Sequence, residues 1–139
     1  MNTKRILISA ILIWIWGIIY TALTCGWLFK WVYTIPPIIW KDPAAMMSPS
    51  NIIWSYVLGF IVALIFVLVY ALLYRGIPKK GVKKGLIYGF VVWLIAPLSG
   101  TITMPFYMTI ATTVVVYWII NFLVSYLVMG AIVGVIYKE

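Results

Sequence analysis

The chain contains no histidine, one cysteine and only two acidic side chains among its 139 residues. General acid–base catalysis needs titratable groups, and metal centres need clusters of His, Cys, Asp or Glu. We therefore expect no enzymatic activity, no cofactor and no metal site. Cys25 has no second cysteine with which to form an internal disulfide, so we interpret it as a small packing residue.

Charge of either sign is also scarce, and apolar side chains take its place. Hydrophobic residues make up 66% of the chain and charged residues 9%, more apolar surface than a water-soluble domain of this length buries. Continuous apolar runs, each long enough to cross about 30 Å of hydrocarbon, occupy residues 6–33, 52–74, 86–108 and 110–137. The runs do not alternate as barrel strands do. The sequence therefore predicts an all-α integral membrane protein with four transmembrane helices.

The basic residues lie mostly in the connections on one side of these spans. Lys30 and Lys41 fall on the other side. The positive-inside rule then predicts a multi-pass plasma-membrane protein with both termini cytoplasmic. The inner connection, 75–85, is expected to meet anionic lipid headgroups through five cations. These are Arg75, Lys79, Lys80, Lys83 and Lys84. A nucleic-acid partner is not expected, because no soluble fold is available to present a basic patch.

The two halves of the chain resemble each other. One pair of segments shares a basic pair, an apolar stretch and a closing Trp, and a second pair shares Asn, Ser and Tyr at the same spacing. The matching segments are 4–14 with 83–93, and 51–58 with 121–128. We predict two tandem helical hairpins, 1–74 and 75–139, forming a parallel repeat about an axis along the membrane normal. The alternative is two hairpins that share only their composition.

Small residues at four-residue spacing predict close contacts between helices, because lipid competes equally well for larger apolar side chains. One such stripe lies on the second span and another on the fourth. The residues are Ser55, Gly59 and Ala63, then Gly130 and Gly134. Both uses stay open at this point: contacts within one chain, and contacts between copies in a homo-oligomer or with other membrane subunits.

A polar, proline-containing stretch interrupts the third span. Proline removes a backbone donor and disfavours helix at the preceding residue, so we expect a kink between residues 97 and 105. The residues of interest are Pro97, Ser99, Gly100, Thr101, Thr103 and Pro105, with Asn121 from the fourth span. In one interpretation the hydroxyls only satisfy the broken helix. In the other, hydroxyls and exposed carbonyls form a polar site for a solute or ion.

Two functional hypotheses follow. The preferred one is a passive transporter or channel-like protein, oligomeric or not, for a small solute or ion. The alternative is an accessory or scaffolding subunit of a larger membrane complex. Lipid recognition by the basic connection is a third and weaker hypothesis. The Pro-rich outer connection, 34–51, contains four prolines and several apolar residues, and we expect it to rest on the membrane surface.

Overall fold

The computed structural model describes residues 2–137, and within this range all regular secondary structure is helical. Four helices are long and apolar enough to cross a membrane, and we call them the first to fourth spans. They are Thr3–Leu28, Pro49–Leu73, Gly81–Tyr107 and Thr112–Ile136. The prediction of an all-α chain with four potential transmembrane helices is confirmed, with differences at the boundaries.

The first span begins earlier and ends earlier than the predicted 6–33. Asn2 caps it, because its side-chain oxygen accepts a hydrogen bond from the backbone N–H of Arg5 at 3.3 Å. The α-helix runs from Thr3 to Leu23 and then widens into a π-helical turn, Thr24–Leu28. The backbone leaves the helical region at Phe29 (φ −122°, ψ 36°), which ends the span.

The connection between the first and second spans is partly helical. It contains a 3₁₀ turn, Lys30–Thr34, and a short helix, Pro43–Met46. The second span starts at Pro49, whose missing N–H costs nothing at the first helical position. The Pro-rich connection over 34–51 thus contains a four-residue helix before the second span begins at Pro49.

The third span starts at Gly81, five residues before the predicted 86. Lys79 (φ 73°) and Gly81 (φ 56°) adopt left-handed backbone conformations that turn the chain into the helix. Lys83 and Lys84 therefore belong to the helix and not to a loop over 75–85.

The third span is irregular in its second half, as the prolines predicted. Its α-helix, Gly81–Trp93, is followed by a π-helical turn, Leu94–Leu98, that contains Pro97. A short helical segment, Ser99–Thr101, continues the span, and the helix breaks before a last turn at Met104–Tyr107. The span is distorted at Pro97 and interrupted only after Thr101.

The four spans run alternately up and down. The first span packs against the second and the fourth, and the third packs most closely against the fourth. We call the end of the bundle with residues 74–80 and Tyr137 the basic end, and the end with residues 29–48 and 108–111 the proline-rich end. The second and third spans meet mainly through aromatic side chains, such as Phe66 with Tyr88.

Glycines bring the backbones of the third and fourth spans into direct contact. A Cβ atom at Gly85 would overlap the Gly130 carbonyl group, and one at Gly89 would overlap the carbonyl of Tyr126. A Cβ at Gly134 would come within 2.9 Å of the Cα of Gly85. Gly130 and Gly134, which the sequence marked for helix packing, are buried in this intramolecular contact.

The half of the bundle near the basic end is closed by interlocking aromatic rings. The ring of Tyr70 lies 5.1 Å from that of Tyr88 and 5.9 Å from that of Tyr137, measured between centroids. The Tyr88 hydroxyl donates to the Phe66 carbonyl at 2.7 Å, across the gap between the second and third spans. Tyr70 and Val67 are fully buried, so this half of the bundle forms its core.

Candidate functional site

The half of the bundle near the proline-rich end is open by comparison. A cavity of about 350 Å³ lies between the first span, the fourth span and the connection that follows the first span. We call this cavity the first cavity. A second cavity of about 530 Å³ lies between the first and second spans. Gly17 and Thr21 line both cavities, and a Cβ at Gly17 would have no neighbour within 4 Å. We call the two cavities together the vestibule.

The polar groups of the first cavity are tied together across the two spans. The Tyr20 hydroxyl donates to the backbone carbonyl of Asn121 at 3.0 Å, and the Thr24 hydroxyl donates to the carbonyl of Tyr20 at 2.7 Å. The side-chain amide of Asn121 donates to the Tyr117 hydroxyl at 2.6 Å. The bond from Tyr20 therefore joins the first span to the fourth about one turn before the π-helical turn that begins at Thr24.

Aromatic rings form the wall of the first cavity on the side of the proline-rich end. Tyr33 and Trp40 lie 4.5 Å apart between ring centroids, with their planes at 58°. Trp40 lies 5.9 Å from Trp118 at 90°, and Phe29 lies 5.0 Å from Tyr117 at 52°. All five rings line the cavity. Because the ring planes are strongly inclined to one another, the rings form walls that face in different directions.

The connection is held over the cavity by its own hydrogen bonds. The indole N–H of Trp40 donates to the carbonyl of Val32 at 3.3 Å, and Val32 is itself buried. Burial raises the pKa of the Tyr33 hydroxyl well above its usual value, and the neighbouring Cys25 thiol adds to the shift. Tyr33 is therefore neutral at physiological pH.

The second cavity separates the first span from the stripe of small residues on the second. The indole N–H of Trp14 donates to the carbonyl of Tyr56 at 3.0 Å, and a Cβ at Gly59 would meet the Trp14 ring at 3.6 Å. Ala63 is buried, whereas Ser55 is exposed and donates to the carbonyl of Ile52 at 2.8 Å. Ser55, Gly59 and Ala63 all line this cavity, so the stripe faces the first span.

The predicted polar site is divided in the structure. Asn121 lines the vestibule, but none of the residues from Pro97 to Pro105 lines either cavity. The Ser99 hydroxyl donates to the carbonyls of Ile95 and Ala96, next to the π-helical turn at Pro97. Thr101 is buried, whereas Gly100 and Thr103 are exposed. The structure thus brings Asn121 to tyrosines of the first and fourth spans and not to the hydroxyls of the third.

Sequence analysis did not identify the aromatic members of the vestibule. Tyr20, Tyr33 and Trp40 lie within 21 residues of one another, but the first belongs to a span and the other two to the connection that follows. The only available signal was the high aromatic content of 17%. Aromatic residues near the ends of transmembrane helices usually anchor the helix at the membrane–water interface. Nothing in the sequence indicated a different role for these residues.

Trp14 and Trp93, which the predicted repeat aligns with each other, make equivalent hydrogen bonds. Trp14 donates to the eighth residue of the second span, Tyr56, and Trp93 donates to the eighth residue of the fourth, Ile119, at 3.1 Å. The second repeat match is not at equal depth. Asn51 is the third residue of its helix and Asn121 the tenth, about two turns further in.

The cations at the basic end differ in their surroundings. Arg75, Lys79, Lys80 and Lys83 are exposed, but Lys84 is only 6% exposed. Its ammonium group donates to the carbonyl of Tyr74 at 2.6 Å and lies 3.7 Å from the centre of the Tyr74 ring. Because the helix begins at Gly81, Lys84 turns toward the end of the second span, and it is not placed to meet lipid headgroups as the sequence predicted.

The fold and the vestibule define a small all-helical protein with four helices long and apolar enough to span a membrane. Within residues 2–137, no group of three or more His, Cys, Asp or Glu side chains is placed to hold a metal ion. Comparisons of the chain with protein-family models, with curated proteins and with solved structures found no match.

Proposed function

We propose that the protein is a passive, non-enzymatic membrane carrier that receives a small solute in the vestibule. The observation that carries this proposal is the contrast between the two halves of the bundle. In one half, two cavities that share Gly17 and Thr21 adjoin the first span, whereas in the other half interlocking tyrosines fill the interior of the bundle. This is the shape expected of one end state in an alternating-access cycle.

The distribution of cations supports an orientation for this carrier. Of the nine Lys and Arg residues within the described range, 2–137, seven belong to the basic end, which the positive-inside rule assigns to the cytoplasm of a cell with this protein in its plasma membrane. Both termini are then cytoplasmic, and the vestibule faces outward. The exposed cations of the basic end meet the anionic headgroups of the inner leaflet.

A carrier fits the packing of a single chain better than an open pore does. The glycine contact between the third and fourth spans leaves no space for a solute, and Tyr70, Tyr88 and Tyr137 fill the bundle below the vestibule. Passage therefore requires the first hairpin to move relative to the second. The looser packing of the first span, with open space at Gly17, is compatible with such a movement. Assembly into a homo-oligomer is compatible with the same mechanism.

The predicted two-hairpin repeat agrees with the carrier hypothesis as well. The matched indole hydrogen bonds of Trp14 and Trp93 hold the two hairpins in a similar way. The two helices of the second hairpin pack more closely than those of the first. The contacts of Gly85 and Gly89 have no counterpart at Ile6 and Ala10, which are the positions that the predicted repeat aligns with them in the first hairpin. We propose that a duplicated hairpin lost symmetry here and that the vestibule is the result.

The test is solute entry into proteoliposomes, measured by stopped-flow light scattering after an osmotic step with glycerol, urea or choline chloride. We expect protein-dependent entry of at least one of these solutes and its loss in Gly17→Leu, whose side chain would fill the vestibule. Gly100→Leu is the matched control, because a Cβ at Gly100 also has no neighbour within 4 Å but lies outside the vestibule. Equal rates for both variants, or no protein-dependent entry, would contradict the proposal.

An accessory subunit is the second candidate, and one observation favours it. An apolar groove of about 410 Å³ runs between the second and third spans, with Val69, Ile77, Val91 and Ile95 among its lining residues. Such a groove accepts a helix of another subunit. Native mass spectrometry with retained lipids distinguishes the candidates, since a stoichiometric foreign partner would favour the accessory role and a single species or homo-oligomer would favour the carrier.

A further inference from the structure

We infer that the first cavity binds a quaternary ammonium group, the cationic group of choline and of phosphatidylcholine. The inference deepens the proposed function by naming the class of solute that the vestibule receives. It rests on three features of the first cavity: its aromatic walls, its lack of ionised side chains, and the engagement of four of its polar donors with the protein itself.

The aromatic walls supply the attraction. Five rings, from the connection after the first span and from the fourth span, line the cavity, and adjacent rings are inclined by 58° and 90°. The face of an aromatic ring carries a negative electrostatic potential, and several inclined faces around one point attract a cation without any carboxylate. The rings are Phe29, Tyr33, Trp40, Tyr117 and Trp118.

The charge balance of the lining residues is consistent with such a ligand. No Lys, Arg, Asp or Glu is among the residues that line the first cavity. A bare metal ion or a primary ammonium needs oxygen ligands or hydrogen-bond acceptors in place of its hydration shell. A quaternary ammonium has no N–H to satisfy and exposes only methyl groups, so aromatic faces suffice for it.

The engaged donors argue against an anionic ligand. The hydroxyls of Tyr20 and Thr24 and the indole N–H of Trp40 each donate to a backbone carbonyl, and the amide of Asn121 donates to the Tyr117 hydroxyl. An anion in this cavity would have to break such bonds or rely on the few remaining neutral donors, because no lining residue carries a positive charge. The volume of about 350 Å³ lies at the lower end for small-molecule sites, as expected for a compact ligand.

The experiment is calorimetric titration of the purified protein in nanodiscs of phosphatidylglycerol, which has no quaternary ammonium group. The probe is choline, and the comparator is 3,3-dimethyl-1-butanol, which has the shape of choline without its charge. We expect choline to bind and the neutral analogue to bind at least about tenfold more weakly, since a cation–π site distinguishes charge. Equal binding of the two, or no binding of choline, would overturn the inference.

Substitutions of Tyr33 and Trp40, which lie in the connection after the first span, test the site without altering a span. Tyr33→Leu removes one ring and is expected to weaken choline binding by about five- to thirtyfold, whereas Tyr33→Phe keeps the ring and most of the affinity. Trp40→Leu is a second, independent removal. Trp27→Leu is the matched control, because Trp27 is 70% exposed and does not line the cavity. Unchanged affinity in both Tyr33→Leu and Trp40→Leu would refute the assignment.

A second lipid separates the two sources of the ligand. If the cavity holds a lipid headgroup, nanodiscs of phosphatidylcholine will weaken the apparent affinity for choline by competition. If it receives a free solute, the affinity will be the same in both lipids. Binding of choline without solute entry into proteoliposomes would retain this inference and reject the carrier, and Gly17-dependent entry of another solute without choline binding would do the reverse.

Discussion

The contact between the third and fourth spans makes a sharp prediction about Gly85. In Gly85→Ala, the new methyl group would occupy the space of the Gly130 carbonyl group, which is backbone and cannot rotate away. The two spans must therefore separate, and the close contacts along the glycine stripe are lost together. Overpacking of this kind costs about 1–3 kcal/mol, and we expect the free energy of unfolding to fall by that amount.

The same substitution at Gly100 gives the control with the opposite sign. A Cβ there meets nothing within 4 Å, so Gly100→Ala should stabilise the protein by about 0.4–1 kcal/mol through the reduced freedom of the unfolded chain. Equilibrium unfolding in mixed detergent micelles, followed by circular dichroism, measures both variants. The reasoning would be refuted if the two alanine variants had the same stability.

A double variant sharpens the test. Gly85→Ala and Gly130→Ala each push the same two backbones apart, because a Cβ at Gly130 would in turn overlap the Gly85 carbonyl. Once one methyl group has separated the spans, the second should add less than its own single effect. We expect the double variant to lose clearly less than the sum of the single losses. An additive result would mean that the two glycines are not in one contact.

Three further predictions follow from the site and the basic end. Lys84→Met should lower the free energy of unfolding by about 1–3 kcal/mol, because the partly buried carbonyl of Tyr74 would lose the ammonium group as its donor, whereas Lys83→Met, at an exposed position, should change it by less than about 0.5 kcal/mol. The double variant Thr101→Val/Thr103→Val should leave the rate of solute entry within about twofold of wild type, since neither residue lines the vestibule. Loss of solute entry in this variant would indicate that the site lies in the third span. Choline binding should be the same at pH 5.5 and 7.5, because the chain has no histidine and the raised pKa of Tyr33 keeps its hydroxyl neutral. Any contribution of the neutral Tyr33 hydroxyl to the stability of the fold is lost only as the pH rises above about 10.

The all-helical class and the number of spans could be predicted from the sequence alone. Long apolar runs can satisfy their backbone groups in a membrane only as helices, and this local constraint needs no tertiary information. The distortion at Pro97 was also predictable, because proline lacks the donor that a regular helix requires. The glycine spacing at Gly130 and Gly134 indicated a helix contact, but not which helix would lie opposite.

The tertiary structure alone decided which residues share the vestibule. Tyr20, Tyr33 and Asn121 converge because the first span widens after Leu23 and the following connection turns back over its end, and no short sequence motif encodes that path. It also decided that Lys84 is buried. The type of a residue limits which ligands its side chain can bind. The position of the cavity, however, depends on how closely the helices of each hairpin pack.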